Sequence, residues 1–142
     1  MAQTTVEIRS LTGASLAVGS SGARTVTIDR STEVGGFGLG FNGGELLLLA
    51  IGGCYSNDIY REAAKRGFRV RSVQVTVTAD WGGEPVRAQN VSYSASVEAD
   101  APEGEILDLI QHTDRVAEIP NSLRSGTEVK LTGSKAVSHG AA

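Results

Sequence analysis

Hydrophobic and polar positions alternate along several stretches of this chain and follow a helical period in two others. The first thirty residues alternate in three short stretches, Thr4 to Arg9, Ser15 to Val18 and Thr25 to Asp29, which are separated by glycines. A period of two is typical of half-buried strands, so this region predicts a meander of short strands. Six glycines between positions 35 and 44 are too dense for a regular element and predict a loop.

A long helix is predicted from Glu45 to Arg66, because β-branched residues are almost absent there and Gly67 is placed to cap its end. The first half of this helix, Leu46 to Cys54, is apolar on every side, whereas the second half carries charges. A segment that is apolar all round must be covered all round. We expect a second copy of the chain to supply part of that cover, with Gly52 and Gly53 allowing two helices to approach closely.

The remainder of the chain predicts a hairpin, a helix and a strand. Val73 to Ala79 and Val91 to Val97 alternate on either side of a turn at 82–85, as in an antiparallel hairpin with one solvated face. A second helix is expected from about Glu105 to Glu118, and a final strand over Thr127 to Leu131. This order predicts an α+β fold. Residues 1–133 form a single domain in this interpretation, and residues 134–142 form a flexible C-terminal tail.

Composition narrows the range of functions. The chain has 142 residues, and chain-size scaling predicts that folding buries about two-thirds of its unfolded surface. With 13 basic against 16 acidic residues and 5% aromatics, it lacks the basic patch of a nucleic-acid-binding protein. The first residues do not resemble a secretory signal, and the longest apolar run, Leu46 to Ile51, is too short to cross a bilayer. We therefore expect a cytoplasmic protein that binds neither nucleic acid nor membrane.

The single cysteine, Cys54, is the main candidate for chemistry. Free cysteines are usually buried and inert, so a packing role is the simpler interpretation from the residues alone. A reactive role requires a neighbouring cation or hydrogen-bond donor that stabilises the thiolate. Helical spacing places Asp58, an anion, one turn from Cys54, and Arg61 two turns away. The charged segment from Asp58 to Arg66 is interpreted as a solvated helix face.

No cofactor or metal site is predicted. Gly38 to Gly43 matches the dinucleotide pattern G-x-G-x-x-G, but it lacks the acidic residue that should end a following strand about twenty residues later. The two histidines, His112 and His139, are well separated and would make a poor ligand set. We expect neither a bound cofactor nor a metal.

The segment from Gly43 to Ser56, GGELLLLAIGGCYS, resembles the central-helix motif of the OsmC/Ohr superfamily, the osmotically inducible and organic hydroperoxide resistance proteins. The strand Val70 to Val77 follows in the family's order, and the resemblance extends over Glu7 to Leu131. It implies an intertwined homodimer in which antiparallel sheets wrap a long central helix from each chain, with active sites at the subunit interface.

The resemblance also implies residue roles. Cys54 matches the peroxidatic cysteine, which attacks a hydroperoxide and becomes a sulfenic acid. The family's resolving cysteine begins a Cys-Pro-x-Ser motif, which here reads Ile119-Pro120-Asn121-Ser122, so the two-cysteine cycle is impossible in this chain. The family's assisting glutamate corresponds to Glu45 only with a shift of one residue. Its activating arginine corresponds to Arg9, or to Arg24, only if the loops differ in length.

Three hypotheses remain open. In the first, the protein is a one-cysteine hydroperoxide reductase in oxidative-stress defence, in which Cys54 attacks the peroxide and an external thiol reduces the sulfenic acid. In the second, it is a non-catalytic dimer that binds a small apolar ligand or a partner in the interface pocket. The third keeps thiol chemistry at Cys54 with a substrate other than peroxide.

Overall fold

The computed structural model describes residues 1–141 of the chain, which form two antiparallel sheets and three α-helices. The elements in chain order are β1 (Glu7–Ser10), β2 (Ala17–Ser21), β3 (Arg24–Ile28), α1 (Gly43–Lys65), β4 (Val70–Gly82), β5 (Arg87–Ala99), α2 (Glu103–Val116) and α3 (Glu118–Arg124). A short 3₁₀ helix at Thr32–Val34 lies between β3 and α1. The α+β class predicted from the sequence is confirmed.

The first sheet is the predicted meander, in the order β1-β2-β3. The glycine-rich loop that follows it is held by Asp29, whose buried carboxylate accepts hydrogen bonds from the backbone N–H groups of Arg30 at 2.7 Å and of Phe37 and Leu39 at 3.1 Å. Gly40 lies so close to β3 that a Cβ there would be 2.5 Å from the Thr27 carbonyl oxygen. The glycines therefore let the loop pack against the strand.

Helix α1 has well-defined ends. Asn42 is its N-cap, and its side chain accepts from the Glu45 N–H at 2.8 Å, while the Glu45 carboxylate accepts from the Asn42 N–H at 3.0 Å. This reciprocal capping box satisfies two backbone donors at the start of the helix. At the other end Gly67 adopts a left-handed φ of 76°, and the N–H of Phe68 bonds the Ala63 carbonyl at 3.0 Å. The prediction that Gly67 ends the helix is thus confirmed, although the C-cap residue itself is Arg66.

The second sheet is the predicted hairpin of β4 and β5, and α1 packs against it. A Cβ at Gly52 would lie 3.1 Å from the Val77 side chain, so Gly52 allows the close approach of α1 to β4 rather than of two helices. Gly53 faces open space within the chain. Of the two glycines expected to serve helix–helix contact, only Gly53 remains available for it.

The region after the hairpin differs from prediction in two places. The second helix ends at Val116 rather than Glu118, because Ala117 is extended and α3 begins immediately after it. Pro120 lacks an N–H and is tolerated in the first turn of a helix but not in the middle of a continuous one. The final strand expected over Thr127 to Leu131 is wrong for this chain, since residues 127–141 carry neither helix nor strand.

The core of the single chain is small. Seven apolar side chains in the described part of the chain are buried: Ala17, Ile51, Tyr55, Ile59, Ala63, Leu109 and Ala117. Most of them lie between α1, the hairpin and α2. The apolar first half of α1 is only partly covered, and Leu49 keeps 52% of its surface exposed. Within residues 1–141, no helix combines the length and hydropathy that crossing a membrane requires.

Candidate functional site

Cys54 lies in the middle of α1, partly exposed, where the start of α3 crosses the helix. Its Sγ is 3.7 Å from Asp58 Oδ2 and 3.7 Å from Glu118 Oε2. The backbone N–H of Ile119 donates to Sγ at 3.5 Å. The only thiol of the chain thus contacts two carboxylates and one backbone donor.

The contact with Ile119 supports the alignment of the second motif. The sequence places Ile119 where the resembling family has its resolving cysteine, and the structure brings the backbone of this residue against the thiol of Cys54 across 65 positions of sequence. Pro120 is buried beside it and holds the start of α3 in place. Cys54 and Ile119, which lie far apart in the sequence, are therefore in contact in the fold.

Arg61 links the two carboxylates that flank the thiol. Its Nη1 is 2.9 Å from Asp58 Oδ1 and 2.9 Å from Glu118 Oε1, and its Nε is 2.9 Å from Glu62 Oε1. A guanidinium presents several donors in a fixed plane, so one arginine can serve carboxylates from two helices at once. Arg61 therefore contacts three carboxylates, those of Asp58, Glu62 and Glu118.

The charged half of α1 is not the solvated face that the sequence predicted. Asp58 and Glu62 are both only 5% exposed. Glu62 also binds Lys65 Nζ at 2.9 Å and His112 Nε2 at 3.1 Å, the latter from α2. The prediction was wrong because α2 and α3 cover this face and bring partners that no spacing along α1 could reveal.

The surroundings of Cys54 favour the protonated form of its thiol. Burial raises the pKa of the thiol, and the negative charges of Asp58 and Glu118 raise it further, against the lowering effect of the Ile119 N–H. A reactive cysteine needs the opposite surroundings, with a cation beside the sulfur. Within this chain Arg61 does not provide that cation, because it is bound to the carboxylates.

Asp58 and Glu118 shift each other's pKa in opposite directions. Burial raises the pKa of Asp58, and the neighbouring Glu118 raises it further. The pKa of Glu118 is lowered by its own backbone N–H, by Asp58 and by Arg61. The two shifts are opposite in direction: Asp58 is easier to protonate than an ordinary aspartate, and Glu118 is harder to protonate than an ordinary glutamate.

The described residues contain one group of side chains that could hold a metal ion, formed by Cys54, Asp58 and Glu118. Their sulfur and oxygen atoms all lie within 4.8 Å of one another. However, the guanidinium of Arg61 already pairs with both carboxylates, and a cation in that position competes directly with a metal ion. We interpret the group as an ion-pair network beside a thiol.

Helix α3 is anchored at both ends. At its start Glu118 binds Arg61 of α1, and at its end Arg124 Nη2 lies 2.6 Å from Asp114 Oδ1 of α2. The same carboxylate of Asp114 accepts the hydroxyl of Tyr93 from β5. These contacts hold Ile119 against the sulfur.

An open apolar groove of about 340 Å³ runs between α1, the first half of β5 and α3. Leu47 and Ile51 line it from α1, on the face that also carries Cys54. Pro120 and Leu123 line it from α3, directly after Ile119. The groove thus offers apolar surface close to the thiol.

The assisting residues suggested by the resemblance lie elsewhere in this chain. Glu45 occupies the capping box at the start of α1, nine residues before Cys54 and so about 14 Å away along the helix axis. Arg9 lies on β1 and Arg24 on β3. None of the three belongs to the contact group around Cys54. Their assistance to Cys54 stays a prediction, one that requires a second chain.

The sequence matches the family of OsmC-like proteins over residues 36–132. The chain belongs to the OsmC family. The match begins in the glycine-rich loop, spans the helix that carries Cys54 and the motif around Ile119, and ends just after the region expected as a final strand. Comparison with curated protein sequences gives no match.

Solved structures support the OsmC fold. The chain is similar to an OsmC-like protein from Mycoplasma pneumoniae, with a TM-score of 0.76, 15% identity, and coverage of 89% of this chain and 90% of that one. A hypothetical protein from Aquifex aeolicus gives a TM-score of 0.72 at 17% identity, covering 92% and 93%. An organic hydroperoxide resistance protein OsmC from Legionella pneumophila gives 0.60 at 16%, covering 87% and 90%. At these identities the likeness establishes the fold.

Proposed function

We propose that this protein is a one-cysteine thiol peroxidase of the OsmC family, which reduces organic hydroperoxides with Cys54 and depends on an external thiol. The observation that carries the proposal is the contact between Cys54 Sγ and the backbone N–H of Ile119 at 3.5 Å. It supports the proposal because Ile119 begins the segment that resembles the second motif of the family, and this residue contacts the chain's single thiol. The Legionella pneumophila relative, an organic hydroperoxide resistance protein, supports the same chemistry.

The reaction is a two-electron reduction of the peroxide. The thiolate sulfur of Cys54 attacks the distal oxygen, the O–O bond breaks, and the alkoxide takes up a proton and leaves as an alcohol. Cys54 then carries a sulfenic acid. One external thiol displaces water to form a mixed disulfide, and a second thiol releases the Cys54 thiol together with an external disulfide. Ile119 cannot take the place of the first external thiol.

The groove beside Cys54 supports an organic substrate. Its lining side chains, including Leu47, Ile51 and Leu123, would bury an alkyl or aryl group while the peroxide reaches the sulfur. Burial of such a group contributes roughly 25 cal/mol per Å² of apolar area. Hydrogen peroxide has no apolar group to bury in the groove, so we expect it to be the poorer substrate.

The proposed reaction needs a cation that the single chain does not bring to the sulfur. We propose that the protein is a homodimer and that the second copy completes the site, with Arg9 as the candidate cation and Glu45 as its candidate carboxylate partner. The resemblance to the family supports this role for the interface. Arg9 is exposed on the short strand β1, where a second chain can reach it.

Steady-state peroxide consumption tests the proposal. With cumene hydroperoxide and an external dithiol, we expect turnover by the wild-type protein and none by Cys54→Ser. Arg9→Ala should lower the rate while leaving the secondary structure intact. If the wild-type protein and Cys54→Ser consume peroxide at the same background rate, the enzymatic proposal fails.

A non-catalytic dimer that binds an apolar ligand is the second candidate, and the environment of Cys54 favours it. Burial, Asp58 and Glu118 all raise the pKa of the thiol, which suits a cysteine that packs rather than reacts. This candidate predicts that an apolar fluorescent probe binds the groove equally well in the wild-type protein and in Cys54→Ser. It also predicts that Leu123→Glu weakens that binding.

A further inference from the structure

We propose that Glu118, tethered by Arg61, is a charge-setting residue that holds Cys54 in its unreactive protonated form, so that removing its charge activates the thiol. The inference rests on the proposed function, in that it takes Cys54 as the reacting group. It adds a means of regulating the reactivity of Cys54, which neither the family motif nor the spacing along α1 indicates.

The contacts place this control directly on the sulfur. Glu118 Oε2 lies 3.7 Å from Sγ, and the other oxygen of the same carboxylate lies 2.9 Å from Arg61 Nη1. Arg61 in turn is held by two buried carboxylates, Asp58 and Glu62. The tether is therefore anchored in the core of the chain, and Glu118 is kept beside the thiol although it lies on a different helix.

The two carboxylates disfavour the thiolate form of Cys54, and they do not act as bases that remove its proton. A carboxylate with an ordinary pKa near 4 is a far weaker base than a thiolate with an ordinary pKa of about 8.5. Transfer of the thiol proton to such a group is therefore unfavourable by more than about four orders of magnitude. A negative charge about 4 Å from the sulfur opposes ionisation at the same time.

The two carboxylates differ in how accessible they are to solvent. The Asp58 side chain is 7% exposed, whereas that of Glu118 is 62% exposed. Asp58 lies on α1 with Cys54 and is fixed, while Glu118 lies at the start of the short helix α3. Salt ions screen exposed charges strongly and buried ones weakly. Glu118 is therefore the member of the pair whose influence solvent, salt or a bound partner can remove.

The charged groups around Cys54 come from two helices. Asp58 and Arg61 face it from α1, and Glu118 faces it from α3. From α2, His112 contacts Glu62 instead of the cysteine cluster. The effect of Glu118 can thus be isolated by changing that residue alone.

The variant Glu118→Gln removes the charge and keeps the shape. Its amide oxygen can still accept from Arg61, so the tether is retained. The rate of alkylation of Cys54 by iodoacetamide, a neutral reagent, is measured on intact protein from pH 6 to 10, at low salt and in 1 M KCl. The matched control is Glu128→Gln, which removes another exposed glutamate that pairs with Lys130. Circular dichroism verifies that all proteins are folded.

We expect Glu118→Gln to raise the alkylation rate at pH 7.5 and low salt by about three- to tenfold, and to shift the midpoint of the pH profile downward by about 0.5 to 1 unit. High salt should accelerate the wild-type protein and reduce the difference between the two proteins. Glu128→Gln should match the wild type throughout. A purely structural role of Glu118 would not produce a salt-dependent difference in the pH profile.

The proposal is overturned if folded Glu118→Gln is alkylated at the wild-type rate or more slowly. Its failure is distinguishable from failure of the proposed function. If peroxide leaves wild-type Cys54 unmodified while Glu118→Gln still accelerates alkylation, the peroxidase proposal fails and the control by Glu118 stands. If the wild type turns over peroxide but Glu118→Gln leaves the alkylation profile unchanged, the peroxidase proposal stands and the control by Glu118 fails.

Discussion

At the scale of single residues, Glu62 is the centre of the network that joins α1 to α2. Lys65, Arg61 and His112 bind its carboxylate at 2.9, 2.9 and 3.1 Å, and they lower the pKa of Glu62 to about 2 against the cost of burial. A buried carboxylate of this kind stabilises the fold only while its partners are present. Through Arg61, the same network also fixes the position of Glu118 beside Cys54.

The low pKa of Glu62 predicts an acid-sensitive contribution to stability. Because the folded pKa lies below the ordinary value of 4.5, this contribution is fully present above about pH 5 and is lost as the pH falls toward 2. Glu62→Gln should therefore lower Tm at pH 7 and flatten the decline of Tm between pH 5 and 2. Glu128→Gln, the exposed control, should keep the wild-type slope. Parallel curves for wild type and Glu62→Gln would contradict this assignment.

The second prediction at this scale restores the missing resolving thiol. The Ile119 N–H contacts Cys54 Sγ at 3.5 Å, so Ile119→Cys should place a second thiol within reach, and a disulfide needs Cα atoms about 4.4 to 6.8 Å apart. Ile119 is 36% exposed, so we expect the substitution to cost at most about 1 kcal/mol. Peroxide should then produce an intrachain disulfide, seen as a mass loss of two hydrogens.

Leu123→Cys is the matched control for this experiment. It lies one turn farther along α3 and lines the groove rather than touching the sulfur, so it should form no disulfide with Cys54. A folded Ile119→Cys protein that forms no disulfide under peroxide would show that the α1–α3 contact differs in solution.

At the scale of elements, local rules account for the parts of the fold that depend on neighbours in sequence. The Gly67 stop of α1 and the hairpin of β4 and β5 follow from turn chemistry and from the period of apolar positions. The start of α1 follows from Asn42 and Glu45, and it lies two residues earlier than predicted because the capping box includes Gly43 and Gly44.

The features that the sequence did not reveal depend on contacts distant in sequence. α3 was missed because its segment was interpreted only as a motif, although Pro120 is itself a sign of a helix start. The segment from Thr127 to Leu131 alternates like a strand, but in the described chain it pairs with neither sheet. Of the candidate site, the sequence indicated Cys54, Ile119 and, through helical spacing, Asp58 and Arg61. It could not indicate Glu118, which reaches the thiol across 64 positions.

The packing of α1 against β4 gives a prediction for its two glycines. Gly52→Leu should destabilise the protein by about 1 to 3 kcal/mol, because its side chain would overlap Val77 and Val75. Gly53→Ala, the matched control, meets no atom within 4 Å inside the chain and should change the stability by no more than about 1 kcal/mol. Urea unfolding at a fixed protein concentration measures both. Equal effects at the two positions would contradict the packing described for Gly52.

At the scale of the whole molecule, the single chain exposes more surface than a compact protein of its size. Its accessible surface is 10610 Å², whereas scaling predicts about 7,000 Å² for a monomer of 14.8 kDa. The extended residues 127–141 account for part of the excess. Exposed apolar side chains on α1 and on the glycine-rich loop also contribute to the excess surface, among them Leu49, Phe37 and Leu39. An excess of this order is comparable to the interface of an obligate dimer.

The dimer proposal makes Leu49 a test position. A charge at a buried interface is costly, so Leu49→Glu should convert the dimer to monomers or to aggregates, with loss of thermal stability. Leu107→Glu is the matched control, because Leu107 is exposed to a similar extent, 51% against 52%, on the outer face of α2. Sedimentation velocity at micromolar concentration measures the outcome. A wild-type protein that sediments as a folded monomer would refute the dimer.

The measurement that addresses the proposed function most directly is the mass of the protein after one equivalent of an organic hydroperoxide. Because Cys54 is the only cysteine of the chain, we expect the intact mass to rise by one oxygen atom, with dimedone trapping the sulfenic acid at Cys54 and with no intrachain disulfide. Cys54→Ser should show no such change. If excess peroxide leaves wild-type Cys54 unmodified, and the thiol is alkylated only after unfolding, then Cys54 is a packing residue and the protein is not a thiol peroxidase.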